Sequence, residues 1–157
     1  MRPLVPRPLT GEAFAPYGEV LAVPQAVGVR TSFNTVLANL RPDVPACLSL
    51  ILAAPVPQPV GIEVIERHVF TSQSIVPMAP ARWVIVVAPG TGRDGPDLAA
   101  VEAFLPAPGQ GITLAPGTWH APLTVLDAPA PFAFLMWRNH ATDDEEIIAI
   151  PPMAVAV

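Results

Sequence analysis

The chain has 157 residues, 52% of them apolar and only 13% charged. That fits one domain of ordinary size, residues 1–157, and excludes a disordered chain, which is rich in charge and poor in apolar side chains. Net charge is −5, and the positive charges are eight isolated arginines with no lysine, so a nucleic-acid surface is excluded for want of clustered cations.

The N-terminal stretch MRPLVPRPLTGEAF has three prolines in its first eight residues and no continuous apolar run. No signal peptide is expected there. No apolar run in the chain approaches the roughly 20 residues of a spanning helix, so a cytoplasmic protein with no membrane partner is expected. The 22 prolines break helices and are tolerated at strand edges and turns. They argue for many short strands joined by rigid turns.

In chain order, the segment LTGEAFAPYG predicts a short helix capped by Thr10 and stopped at Gly18. Strands are predicted over Glu19–Val23, Thr31–Leu40, Ala46–Ala53, Ile62–Phe70, Gln73–Val76 and Arg82–Ala88. The segment GPDLAAVEAFLP, residues 95–106, predicts a second helix, with Asp97 as cap and Leu98, Val101 and Leu105 at helical spacing. Further strands are predicted over Gly111–Leu114, Pro122–Leu126, Phe132–Arg138 and Glu146–Ile150. The sum is an all-β sandwich or barrel with one or two short peripheral helices.

Cys47 is the only cysteine, which excludes an internal disulfide and any paired-cysteine metal site. Within the apolar run ACLSLILAA it reads as a small buried residue. His140 and the acidic run Asp143–Glu146 read as solvated surface.

Alternation along Ile62–Phe70 puts Ile62, Val64, Glu66, His68 and Phe70 on one face, and Glu63, Ile65, Arg67 and Val69 on the other. A carboxylate and an imidazole side by side on an otherwise apolar face need partners, because unpaired buried polar groups cost on the order of 1–3 kcal/mol each. Gln73 follows five residues after His68, and His120 follows the turn Pro116-Gly117 beside Trp119. Two histidines, a glutamate and a glutamine converging from neighbouring strands suit either a divalent metal or metal-free acid–base chemistry.

The segments LTGEAFAPYGEVL, ERHVFTSQSIVP, WVIVVAPG, PDLAAVEAF and GQGITLAPGTWHAPL, in that order from about residue 9 to residue 126, resemble the ureidoglycolate lyase family of the cupin superfamily. The resemblance implies a cupin-like double-stranded β-helix and a homodimer. It also implies cleavage of (S)-ureidoglycolate to glyoxylate and urea in allantoin and purine breakdown, a carbon–nitrogen lyase of the amidine-lyase type. Nickel or another divalent ion is the cofactor it implies, with a metal-free site as the alternative. On this reading His68, His120 and Glu66 carry the proton transfers, or ligate the metal if one is present. Gln73, Arg138 and Asn34 contact the small-molecule substrate. Two departures from the family pattern stand out: the stretch ITLAPG, with Leu114, lacks a tyrosine the family has there, and Ala121 stands where a second histidine follows the Trp-His pair. The alternatives are another cupin enzyme acting on a small hydroxy or keto acid, or a small-molecule-binding cupin without catalysis.

Overall fold

The computed structural model describes residues 3–91 and 95–157. Among the described residues twelve strands, numbered in chain order, form two sheets facing each other in a cupin-like barrel. The first sheet contains β1 (Arg7–Pro8), β7 (Glu102–Leu105), β6 (Trp83–Ala88), β9 (Trp119–His120), β4 (Val60–Arg67) and β12 (Glu146–Val155), in that spatial order. The short β10 (Thr124–Val125) pairs with β6 as well. The second sheet runs β2 (Gly18–Leu21), β8 (Gly111–Leu114), β5 (Gln73–Pro77), β11 (Ala130–Trp137) and β3 (Ala46–Ala53). Among these named strands all pairings are antiparallel except β1 with β7.

Apolar side chains segregate into two clusters, one on each face of the first sheet. Trp83, Ile85, Val87 and Phe104 meet Ile75, Ile112, Leu114 and Phe132 of the second sheet and fill the barrel. Val84, Val86, Ala88, Ile65 and Trp119 turn outward and pack against Ile150, Met153 and Val155. Strand β6 is therefore buried along its whole length, which is why it reads as the continuous apolar run WVIVVA. Pro151 and Pro152 lack the amide hydrogen that a ladder needs, and the register of β12 against β4 shifts between Ala149 and Met153.

Three expectations are corrected here. Residues 95–106 are not helical: a 3-10 turn at Leu98–Ala100, capped by Asp97 accepting from the Ala99 amide at 3.0 Å, leads straight into β7. Ala103 enters the outer cluster and Phe104 the inner one, so two-sided burial wins over helical periodicity. Thr31–Leu40 is a loop. Its contacts with the rest are few, such as Leu40 N–H to Phe70 O at 2.8 Å and Ser72 N–H to Ala38 O at 3.0 Å, and Asn39 folds it into a turn by accepting from the Arg41 amide at 3.0 Å. Strict alternation fails at the start of β4: Ile62 joins Ile65 in the outer cluster while Val64 is exposed, opposite the register shift in β12.

The first helix is a single turn, Gly11–Phe14, with the Thr10 hydroxyl accepting from the Ala13 amide at 3.2 Å. Cys47, expected in the core, is a half-buried free thiol, because β3 is an edge strand. No helix among the described residues is long and apolar enough to cross a membrane.

Candidate active site

Glu66 near the end of β4 and His120 on β9 are directly opposed across the two strands, and His120 is flanked on its other side by Val87 of β6. The turn before β9 aims this short strand: Thr118 N–H bonds Ala115 O at 3.1 Å, and Gly117 takes φ +79°, a left-handed conformation that glycine adopts freely. The Gly117 amide then donates to His68 O at 2.8 Å, which ties the turn to the end of β4.

Glu66, His68 and His120 come together. The two imidazole centroids are 5.5 Å apart, and one ligand atom from each of the three residues lies within 4.8 Å of the others. Each imidazole has its Nδ1 at a main-chain carbonyl, His68 at Asp144 O (3.2 Å) and His120 at Thr118 O (2.9 Å). A carbonyl can only accept, so both Nδ1 atoms carry hydrogens, and the neutral tautomer of each ring has its lone pair on Nε2. His68 Nε2 accepts from the Gln73 amide at 3.0 Å. His120 Nε2 is buried without a hydrogen-bond partner among the described residues, 3.5 Å from Glu66 Oε1. Two imidazole Nε2 atoms and a carboxylate, one of the nitrogens orphaned, are a donor set that fits a divalent cation.

Burial, and secondarily His120, push His68 below the ordinary histidine value of 6.5, so it is neutral near pH 7. Burial pushes Glu66 upward, but His120, His68 and Arg138 together outweigh it and hold the carboxylate below its usual range.

These groups open onto a cavity of about 380 Å³ lined by Glu66, His68 and Gln73, by Phe134, Met136 and Arg138 of β11 and its end, by Ser49, Leu50 and Ile51 of β3, and by Glu145. His120 lies behind Glu66, off the cavity wall. A larger cleft, about 430 Å³, is lined by Pro80, Ala81, Arg82, Leu105, Pro106 and Pro108. Its one charged group, Arg82, is paired with Asp127, so it offers no acid–base set.

Arg67 faces outward as alternation predicts, with its guanidinium 4.5 Å from the Trp119 ring and bonded to Glu146 at 2.7 Å. Asn34 is corrected: it is exposed in the loop and does not line the cavity. Asp144 is corrected as well. Within a run expected to be solvated, its side chain is only 1% exposed. Ala121 packs in the outer cluster with Trp119, on the face opposite His120, so a histidine there would point away from the donor set. Its absence removes no ligand. Arg138 could be placed beside Phe134 and Met136 by alternation along β11; Asp144 and Glu145 carried no sequence signal, since their run has the composition of an ordinary surface loop.

A cupin-like barrel with a His-His-Glu set and an arginine at its cavity has the build of a site for a small molecule. The ureidoglycolate lyase family model matches residues 1–156, and this chain belongs to that family. It is 33% identical over 155 residues to a ureidoglycolate lyase of Mesorhizobium japonicum, covering 93% of both chains. It is 40% identical over 139 residues to that of Burkholderia cepacia, covering 81% of this chain and 75% of the relative. Among solved structures, a dTDP sugar isomerase from Desulfovibrio desulfuricans G20 aligns at 16% identity and TM-score 0.45, over 86% of this chain and 82% of that one.

Proposed function

We propose that this chain cleaves (S)-ureidoglycolate to glyoxylate and urea, the terminal carbon–nitrogen cleavage of allantoin and purine breakdown. The observation that carries the reading is the pair of imidazoles locked at Nδ1, with Nε2 turned toward Glu66 or Gln73, behind a cavity that also holds Arg138.

The substrate carbon bears a hydroxyl, a carboxylate and the urea nitrogen. His68 Nε2 takes the hydroxyl proton, the oxygen's electrons close the aldehyde C=O, and the C–N pair leaves with nitrogen. The departing nitrogen takes that proton back from the His68 imidazolium so formed, while Glu66 holds His120 beside the reacting centre. Gln73, released from His68, hydrogen-bonds the ureido group, and Arg138 holds the substrate carboxylate, a geometry suited to a guanidinium fork. In the alternative arrangement Glu66, His68 and His120 would hold a divalent ion, nickel on the family resemblance, and such an ion would supply Lewis-acid polarisation of the substrate oxygen in place of the His68 lone pair.

The chain is proposed to work as a single domain in a cytoplasmic homodimer. Support for the dimer comes from β3, an edge strand whose Leu48, Leu50 and Leu52 are 71%, 66% and 71% exposed; an uncovered apolar edge invites a second strand. The unpaired thiol at Cys47 agrees with a reducing compartment.

The test is release of urea and glyoxylate by the purified chain, with and without nickel or manganese. His68→Ala and His120→Ala are each expected to lower turnover by at least about 100-fold with the fold intact, the usual contribution of a general acid or base. Glu66→Gln should cost less. A wild-type chain that releases no urea under any metal condition overturns the reading.

A further inference from the structure

Asp144 is the most deeply buried acid outside the His-His-Glu set, and two arginines share it. Its Oδ1 accepts from Arg41 Nη2 at 2.5 Å. The backbone of Asn139 and His140, in the loop that follows Arg138, together with Arg41 helps hold this carboxylate below its usual range. Its Oδ2 lies 3.7 Å from Arg138 Nε, and neither atom has a hydrogen-bond partner among the described residues. Arg41 is mostly buried, with its guanidinium 4.9 Å from the Phe70 ring, and it does not line the cavity. Arg138 does.

Arg41 is also answered by Asp143, Nη1 to Oδ1 at 3.3 Å, so the second oxygen of Asp144 is left to Arg138, the one of the two arginines that reaches the cavity. The Nε edge of Arg138 faces Asp144, and the same side chain lines the cavity. We infer that Asp144 is the positioning residue of an anion subsite: it faces Arg138 from behind at the Nε edge and thereby aims the terminal nitrogens at the carboxylate of a small monoanionic 2-hydroxy acid. The inference rests on the lyase reading for the identity of that anion. Glu66 and Glu145 line the same cavity and disfavour a second anion there, so the subsite suits a monoanion whose other end carries N–H donors.

Asp144 also accepts from His68 Nδ1, but through its main-chain carbonyl. The two roles are thus separable by a side-chain change. Asp144→Asn keeps the size and the carbonyl and removes the charge. For the full chain, the KM for ureidoglycolate should rise at least about 10-fold while kcat stays within about 3-fold, the pattern of lost ground-state binding. Arg138→Met should raise KM comparably, and the double variant should be no worse than the worse single, because coupled residues are non-additive. Product inhibition separates the two ends of the site: Asp144→Asn should weaken inhibition by glyoxylate and leave that by urea unchanged. A fall in kcat at constant KM, or additive effects in the double variant, overturns the inference.

If Asp144→Asn does not fold, the unmutated protein still decides. Glyoxylate should shift the terminal N–H signals of Arg138 in nitrogen-15 NMR and leave its Nε–H in place; an Nε–H that follows the ligand overturns the assignment. If the wild type releases no urea, the lyase reading fails on its own. Calorimetric binding of glyoxylate, weakened by Asp144→Asn, then still reads the subsite, and binding indifferent to that change ends it.

Discussion

Strands β3 and β6 are alike in sequence and opposite in fate. ACLSLILA and WVIVVA are both apolar runs without a charge, yet every residue of β6 is buried and only Ala53 of β3 is. The difference is position. β6 has partners on both edges and a cluster on each face, while β3 has only β11 beside it. Apolar content thus tells where a strand can be buried, not whether its own chain does the burying. The two strands also serve the site differently: β6 backs His120 in the dry interior, and β3 forms one wall of the open cavity.

The largest effect that would sharpen this contrast is expected from Val87→Asp. Val87 is 1% exposed beside His120, and an unpaired charge there should cost about 3–5 kcal/mol or prevent folding, read by chemical denaturation. A stable Val87→Asp protein would break the comparison.

Ala121→His comes next. It places an imidazole in the outer cluster and should cost about 1–3 kcal/mol through overpacking and an unpaired polar group. It should bring no gain in turnover or metal affinity. A gain would mean that residue 121 reaches the inner face after all.

The dryness that β6 maintains should also appear in pH dependence. His68 titrates below 6.5 in the folded chain, so between that lowered value and 6.5 the unfolded chain binds more protons than the folded one. Stability should therefore fall as pH drops below about 6.5, and level off once His68 is protonated in the fold too. The acid limb of kcat/KM should likewise have its midpoint below 6.5, measured by a pH series of initial rates. A midpoint above 6.5 would show that His68 is not the dry base.

The smallest effect on the folded subunit is expected at β3. Leu50→Glu should change subunit stability by no more than about 0.5 kcal/mol, as for other exposed sites, while turning the proposed dimer into a monomer in light scattering. Loss of the fold would show that β3 is as integral as β6.

Much of the barrel was legible in the sequence because its strands are short and bounded by proline or glycine, and because Glu66 and His68 stand two residues apart in a strand. His120 was legible through its turn. What failed has physical causes. Ala103 and Phe104 are buried on opposite faces, a pattern that a helical spacing of Leu98, Val101 and Leu105 hides. Thr31–Leu40 has strand-forming residues but almost no ladder partner. Asp144 is buried by Arg41, a residue 103 positions away in the chain, and no local pattern reports such a pairing.

The atoms that fix the two imidazole tautomers belong to the main chain at Thr118 and Asp144. Every amino acid carries that carbonyl, so substitutions at either position leave the orienting acceptor in place as long as the backbone path holds. The proton arrangement of the site is therefore inherited with the fold rather than with particular side chains. A change at Thr118 would keep its Nδ1 acceptor, and at Asp144 the carbonyl serves His68 independently of the carboxylate that faces Arg138.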